Sequence, residues 1–384
     1  MATGFPTKAN WAAGDVLTAS AMDDLAGTVN LLSNASAASG SQLISNAAGT
    51  SFAYQATPSA SNPVLNSAMQ VWQRGTSISQ TASTTPYTAD RWQALNGANQ
   101  ANTISRQSTN DTTNLPFIQY CARFQRNNGQ TGTADTGLFY SSETINSIPY
   151  AGKSIVISFY ARAGALFTAT SNFLVSRLYT GTGTDQNFLS GYTGNNIVVG
   201  QNNTLTATWQ RFTMVGTIPT VTTEIALGFY YTPTNTAGAT DYFEITGVQI
   251  DIGSVALPFR TNQPTYATEL AACQRYYQRT TGTNEALLSS LGYSYSTSLS
   301  SVTMIPKVTM RVAPTAVDYS NVEITDQNGT VGTVSNLVLQ AKGLTPDYVS
   351  LTATTGASLG AANRPFYAAA QSSVTGYIGL SAEL

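Results

Sequence analysis

The sequence predicts an all-β protein: a jelly-roll β-sandwich, then a short helix and a smaller C-terminal β domain, with a short N-terminal helical anchor in front. Three observations lead there. From about residue 63 onward, apolar residues alternate with polar ones in short runs, the period of a half-buried strand. Turns rich in Gly and Asn, such as Asn127-Asn128-Gly129 and Gly181-Thr-Gly-Thr-Asp185, separate those runs. Helical periodicity does not recur between strands, which argues for a sandwich or jelly roll over an α/β fold. A chain of 384 residues divides into two or three domains.

Taken in order, residues 1–33 form an N-terminal attachment or oligomerisation segment. Thr18 or Ser20 can cap a helix whose first turn holds Asp23 and Asp24. Met22, Leu25, Val29 and Leu32 then follow at coiled-coil spacing. So short a stripe is not stable alone, so it packs either on other copies of the chain or on its own domain. Residues 34–62, rich in Ser, Ala and Asn, read as a linker or stalk.

Residues 63–262 carry the clearest strands. Lys153 to Ala161 places Ile155, Ile157 and Phe159 on one face, and Glu224 to Tyr231 does the same with Ile225, Leu227, Phe229 and Tyr231. Trp209 to Val215 and Asp241 to Ile252 complete the set. Between 263 and 280 the pattern changes: Tyr266, Leu270, Cys273 and Tyr277 share one face of a connecting helix that begins near Pro264. Residues 281–384 return to strands at Val302 to Val312, Val317 to Thr325 and Tyr348 to Thr354, with Asn328-Gly329 as a hairpin signal. No internal repeat emerges, which disfavours a solenoid.

Composition excludes several function classes. Charged residues are 9% of the chain, against roughly a quarter in ordinary soluble proteins. Hydroxyls and amides take their place, and the 20 Tyr outnumber the 14 Phe. A net charge of −2 with scattered Lys and Arg does not suit nucleic acid. No apolar run reaches the roughly 18 residues of a membrane span, and the first residues lack a signal-peptide pattern. Synthesis in the cytosol without secretion is the expectation, and two free buried thiols at Cys121 and Cys273 are favoured over one bridge. The absence of any histidine removes Ser-His-Asp and Cys-His catalysis and every His-containing zinc site. No cofactor is expected and no metal-ligand motif stands out; a structural Ca²⁺ on jelly-roll loop carboxylates stays open, although no dense Asp/Asn loop of EF-hand type is present.

Several segments resemble a known family, in order along the chain. Asn66-Ser-Ala-Met-Gln-Val-Trp72-Gln73-Arg74-Gly75-Thr76 followed by Tyr87-Thr-Ala-Asp90-Arg91-Trp92 resembles the opening of a domain common in tail-fibre and receptor-binding proteins of tailed bacteriophages. Ile245-Thr-Gly247-Val-Gln249-Ile-Asp251-Ile-Gly253-Ser with Pro258-Phe259 is similar to that domain's closing strand, although the usual glutamate is Asp251 here. Glu269-Leu-Ala-Ala-Cys273-Gln274-Arg275-Tyr276-Tyr277, Met310-Arg311-Val-Ala-Pro314-Thr and Ala382-Glu383-Leu384 resemble the helix and endings that follow. The N-terminal Trp11 to Leu17 segment also resembles phage structural proteins. The resemblance implies a carbohydrate-binding-module-like jelly roll in a virion protein, assembled as a homotrimer.

The function expected from this is adhesion without catalysis: a fibre protein on the particle surface, bound to other virion proteins through its N-terminal segment and to host surface glycan through its β domains. The alternatives are an architectural decoration of head or baseplate, and a capsule-degrading tailspike. Tyr179 and Tyr192, which flank a Gly-rich loop, and Tyr293 and Tyr295, which share one face of a possible strand, are the candidate sugar platforms, because they join an apolar face to a hydroxyl. The same residues would equally suit a subunit interface. Trp72, Arg74, Asp90, Arg91 and Trp92 read as fold-defining positions. For hydrolysis, Asp241 and Glu244 are expected on opposite strand faces, while Glu143, Asp185 and Glu224 could meet only through tertiary structure.

Overall fold

The computed structural model describes residues 41–45, 52–56 and 62–384, except 82, 98, 116, 327, 328, 330, 357, 358, 360 and 361. The stripe of Met22, Leu25, Val29 and Leu32 lies outside the described residues, as does Asn328 of the expected hairpin. The expected stalk needs correcting. Within it, β1 (Ser41–Ser45) and β2 (Phe52–Ala56) pair as antiparallel strands, with Leu43 opposite Tyr54. Ile44, Phe52 and Tyr54 supply the strand preference that the Ser/Ala background hides. Asn62 already belongs to the next domain: it is fully buried, and its amide donates to the Val248 carbonyl at 2.8 Å.

That domain is a sandwich of two antiparallel sheets. Its strands are β3 (Ser77–Gln80), β4 (Trp92–Asn96), β5 (Asn102–Ser108), β6 (Tyr120–Arg126), β7 (Thr136–Ser141) and β8 (Ser154–Ala163). They continue with β9 (Phe173–Gly181), β10 (Asn196–Thr204), β11 (Gln210–Thr217), β12 (Glu224–Tyr231) and β13 (Tyr242–Ile252). One sheet runs β10-β9-β12-β7-β4 and the other β11-β8-β13-β6-β5-β3, the jelly roll expected from the sequence.

The alternation read at β8 and β12 fixes which sides face each other. Ile155, Ile157 and Phe159 meet Ile225, Leu227, Phe229 and Tyr231 in a single core, where the Phe159 and Phe229 rings sit edge to face at 4.8 Å. β13 stays inward along its length only because a bulge between Thr246 and Gln249 resets its parity. Gly247 permits the bulge: its φ is +60°, and a Cβ there would lie 2.8 Å from Ile118 and Tyr160. Beyond the bulge, Gln249 and Asp251 clip the returning chain. Asp251 accepts from Leu257 N at 3.2 Å and pairs with Arg260 at 2.6 Å.

Helix α1 (Tyr266–Gln274) is shorter than the 263–280 expected. Thr265 caps it with a reciprocal Thr268 bond, so Pro264 falls just outside. Tyr277 is not on its face but opens β14 (Tyr277–Thr283), because the chain is drawn there into a new sheet. Cys273 and Tyr276 bury against the jelly-roll core, and both cysteines are buried and unpaired.

The remaining strands are β15 (Ser290–Ser294), β16 (Leu299–Met304), β17 (Ala316–Ser320), β18 (Val322–Thr325), β19 (Val331–Leu339), β20 (Val349–Thr355), β21 (Pro365–Ala370) and β22 (Thr375–Ser381). Six close a barrel in the order β15-β16-β20-β19-β18-β21, and β14-β22-β17 form a small sheet. The strand expected over Val302 to Val312 stops at Met304: Pro306 follows, and Ile305 is 67% exposed. Val317 to Thr325 splits at Asn321, which takes a left-handed φ of +49°.

The two domains are bolted together by the last residues of the sequence. Glu383 reaches back to Arg74 at 3.3 Å and to Arg91, which is 1% exposed. Arg91 also donates to the Ser141 carbonyl at 2.7 Å and lies 3.7 Å from the centroid of the Tyr276 ring. Arg311 holds the same tail, donating to the carbonyls of Ala382 at 3.0 Å and Glu383 at 3.1 Å. Breaking a buried pair leaves a charge with no compensation. Arg91→Met or Glu383→Gln should therefore cost about 3–5 kcal/mol in urea unfolding. Arg91→Met with Glu383→Gln should cost less than the two single changes summed. Simple additivity would show that the two side chains are not coupled.

Candidate functional site

The outer wall of the barrel carries a neutral row of side chains. Tyr293 on β15 stands opposite Ser301 on β16, Ser301 opposite Thr352 on β20, and Thr352 opposite Val338 on β19. The residues that alternate with them, Val302, Leu351, Ala353 and Leu337, are buried in the barrel core. The pleat therefore sets this row on the outer side of the barrel, where Tyr293 and Val338 are exposed, Thr352 is half-buried and Ser301 is covered.

Two rings cover the row. Tyr293 is 51% exposed and Tyr295 36%, with ring centroids 5.1 Å apart and planes at 86°. The Tyr295 backbone is fixed by the tight hairpin to Leu299, whose carbonyl accepts its N–H at 2.8 Å. Its phenol oxygen accepts from the Gln340 amide, which also donates to Thr352 Oγ1 at 2.8 Å. Ser350 donates to Gln340 Oε1 at 2.6 Å, and the Ser301 and Ser350 hydroxyls lie 3.2 Å apart. Farther along, the Thr303 and Tyr348 hydroxyls meet at 3.3 Å, and Tyr348 is half exposed. The arrangement offers perpendicular aromatic faces beside a connected set of hydroxyls and one amide. Such groups match the two surfaces of a sugar ring, its C–H face and its rim of hydroxyls. Of the residues at this row, the sequence reading named Tyr293 and Tyr295 and did not name Tyr348 or Gln340. The only local signal was the Thr345-Pro346-Asp347 turn before Tyr348, because strand register alone brings the four together.

Tyr179 and Tyr192 require a correction. They are 6% and 7% exposed, packed in an aromatic cluster on the outer side of the five-stranded sheet. The Gly/Thr-rich connection between β9 and β10 folds back over that side. Phe188 inserts 4.1 Å from Tyr179 and 5.3 Å from Tyr192 (centroid distances), and stacks on Phe139 at 5.6 Å. The Tyr192 hydroxyl donates to the Ile225 carbonyl at 3.1 Å, and burial pushes its phenol pKa up. Neither ring keeps a face free for stacking.

The Trp/Arg/Asp cluster is structural. Trp92 is fully buried 5.3 Å from Tyr140, and Asp90 accepts from Gln73 N at 2.9 Å. Arg74 lies over the Tyr277 ring at 3.5 Å.

Four of the five carboxylates considered for acid–base chemistry are held by cations. Asp241 pairs with Arg126 at 2.7 Å, both fully buried, and Glu244 with Arg123 at 2.6 Å and Arg162 at 2.5 Å. Glu143 and Asp185 do converge, but on Arg311, at 3.7 and 3.0 Å, with Arg275 also on Glu143 at 2.7 Å. Glu224 is buried beside them. Its carboxyl pKa is raised above 4.5 by burial, against the Gln186 N–H that it accepts.

No protein-family model matches the chain, and no curated protein matches it. Solved structures do. A family 4 carbohydrate-binding module is 20% identical over 35% of this chain and 71% of its own, with a TM-score of 0.25. The xylan-binding domain CBM22-1 of Paenibacillus barcinonensis Xyn10C is 13% identical over 47% of this chain and 95% of its own, TM-score 0.29. The enzymatically active domain of bacteriophage CBA120 tailspike protein 4 is 13% identical over 50% of this chain, TM-score 0.31, and the match spans 21% of that domain's length.

Glu224 gives a pH test of the carboxylate cluster. Below its ordinary 4.5 the group is protonated in folded and unfolded chains alike and affects nothing. As pH rises past 4.5 the unfolded chain ionises first, so this group erodes stability until it ionises in the folded chain too. Glu224→Gln should raise the unfolding midpoint above wild type at pH 7 and leave it unchanged at pH 3.5. The same increment at both pH values would mean that the carboxyl is not held protonated by burial.

Proposed function

We propose that this chain is a fibre protein of a tailed bacteriophage that adheres to glycan on the host surface without cleaving it. The observation that carries the reading is the exposed Tyr293–Tyr295 pair set over the neutral hydroxyl and amide row of the barrel. The ordered sequence resemblance across residues 63–384 supports the virion assignment. The scarcity of surface ions suits a particle that meets hosts in water of any salinity.

In this reading the barrel is the adhesive part, the jelly roll is the rigid arm that carries it, and the N-terminal segment attaches to other virion proteins. Single sites of this kind are weak. Three copies per fibre and many fibres per particle turn weak contacts into stable attachment, since each later contact forms at high effective concentration.

Binding of the full chain to host cells and to purified surface polysaccharide tests the reading. Tyr293→Ala with Tyr295→Ala should weaken binding at least tenfold, about 1.4 kcal/mol, while Tyr179→Phe leaves it intact. Retention of binding by the double variant moves adhesion away from the barrel. No binding by wild type favours an architectural virion decoration, and release of reducing ends favours a depolymerase. Light scattering reads assembly, comparing the full chain with one beginning at Asn62. Trimers from both place assembly in the β domains, and a monomeric shorter chain places it in residues 1–61. A monomeric full chain ends the free-standing fibre model.

A further inference from the structure

The jelly-roll domain holds a cleft of about 270 Å³ far from the barrel row in the sequence. Three segments wall it: residues 68–70 after the domain's first turn, the end of the β5–β6 connection at 117–120, and residues 261–266 leading into α1. No lining residue is charged. Phe117 is 89% exposed and Tyr266 54%, and Tyr120 is half-buried. Gln70, Gln119 and Gln263 supply amides.

Part of the polar lining is committed within the protein, since the Gln263 amide donates to Asn262 Oδ1 at 2.8 Å and the Thr265 hydroxyl meets that of Thr268 at 2.9 Å. Among the described residues, the side-chain amides of Gln70 and Gln119 and the phenols of Tyr120 and Tyr266 have no hydrogen-bond partner in the protein. The walls, by contrast, are fixed. Thr109 Oγ1 donates to the Ile118 carbonyl at 2.7 Å, the Asn62 amide donates to the Arg260 carbonyl at 3.2 Å, and Gln263 N donates to buried Glu269 at 2.8 Å. The nearest cation, Arg106, is turned to the Gln70 carbonyl at 3.2 Å and to the Tyr120 ring at 4.6 Å. A preformed concavity with aromatic faces, free amides and free hydroxyls takes a neutral polyhydroxylated ligand with little ordering cost. A ligand rich in phosphate or carboxylate would find no free cation there.

We propose that this cleft is a second saccharide site, which takes a neutral hexose or the end of a neutral oligosaccharide. Its volume lies just below the roughly 300–1,000 Å³ of pockets for drug-sized ligands, which suits one or two sugar rings. The proposal extends the glycan reading above but stands on different residues, so each can fail alone.

The test uses the full chain and a panel of neutral gluco-, galacto-, manno- and N-acetylhexosamine disaccharides, read by saturation-transfer NMR and titration calorimetry. Phe117→Ala, Tyr266→Ala and Gln119→Ala change exposed side chains, so near-ultraviolet circular dichroism should confirm an unchanged fold. Wild type should bind at least one disaccharide, Phe117→Ala with Tyr266→Ala should weaken that binding at least tenfold, and Tyr293→Ala with Tyr295→Ala should leave it intact. Loss of binding only in the barrel variant would overturn the second site and leave the glycan reading standing. Host-cell adhesion with no disaccharide bound by wild type would likewise overturn the cleft and spare the adhesin.

Discussion

The architecture depends on one buried ion pair. Arg91 sits inside the jelly roll with no water to solvate it, and the carboxylate that neutralises it comes from the far end of the chain. A buried guanidinium is tolerable only when it is paired and its N–H groups are used. Every position around it follows from that demand: the left-handed φ of +73° at Arg91 itself, the Ser141 carbonyl in front of it and the Tyr276 ring beneath it. The pairing gains less in net stability than an apolar contact of equal size would. What it supplies is a fixed geometry between two domains, because charge partners accept few alternative placements.

The same logic divides ions from neutral groups across the molecule. Arginines are spent on buried carboxylates, Asp241, Glu244, Asp251, Glu143 and Glu383, while the outer row of the barrel is neutral. Arg126 is the extreme case, fully buried with its nitrogens shared among Asp241, Thr168 and the carbonyls of Asn235, Gln130 and Gly132. A low overall charge is thus not a lack of electrostatics but its confinement to joints, where screening by salt is weak.

How much of this was legible in the sequence depended on the range of each signal. The period-two runs at β8 and β12 were read correctly because one face of each strand is continuously apolar. α1 was overextended at Tyr277, since helical spacing persists past the point where pairing with β22 captures the chain. The barrel was unreadable as a barrel, because closure depends on register among six strands that sequence alternation does not set. Tyr179 and Tyr192 misled for the opposite reason. Their Gly/Thr-rich surroundings look like a solvent loop, yet Phe188 and Leu189 in that loop seal it onto the sheet. Tyr293 and Tyr295 were named from their spacing, whereas Gln340 and Tyr348 were not, since the barrel wall joins them across strands.

The long reach of the Glu383 bolt also sets a schedule for synthesis. It links positions 292 residues apart, and β22 is the central strand of β14-β22-β17, so both neighbours wait for it. At the usual 5–20 residues per second, the ribosome needs about 15–60 s to travel from Arg91 to its partner. Throughout that interval Arg91 lacks its partner, and from the synthesis of β14 until that of β22 the edge of β14 stays unpaired. A nascent chain in this state is vulnerable to mispairing with its neighbours on the same messenger, and its two domains lock together only once Glu383 has emerged.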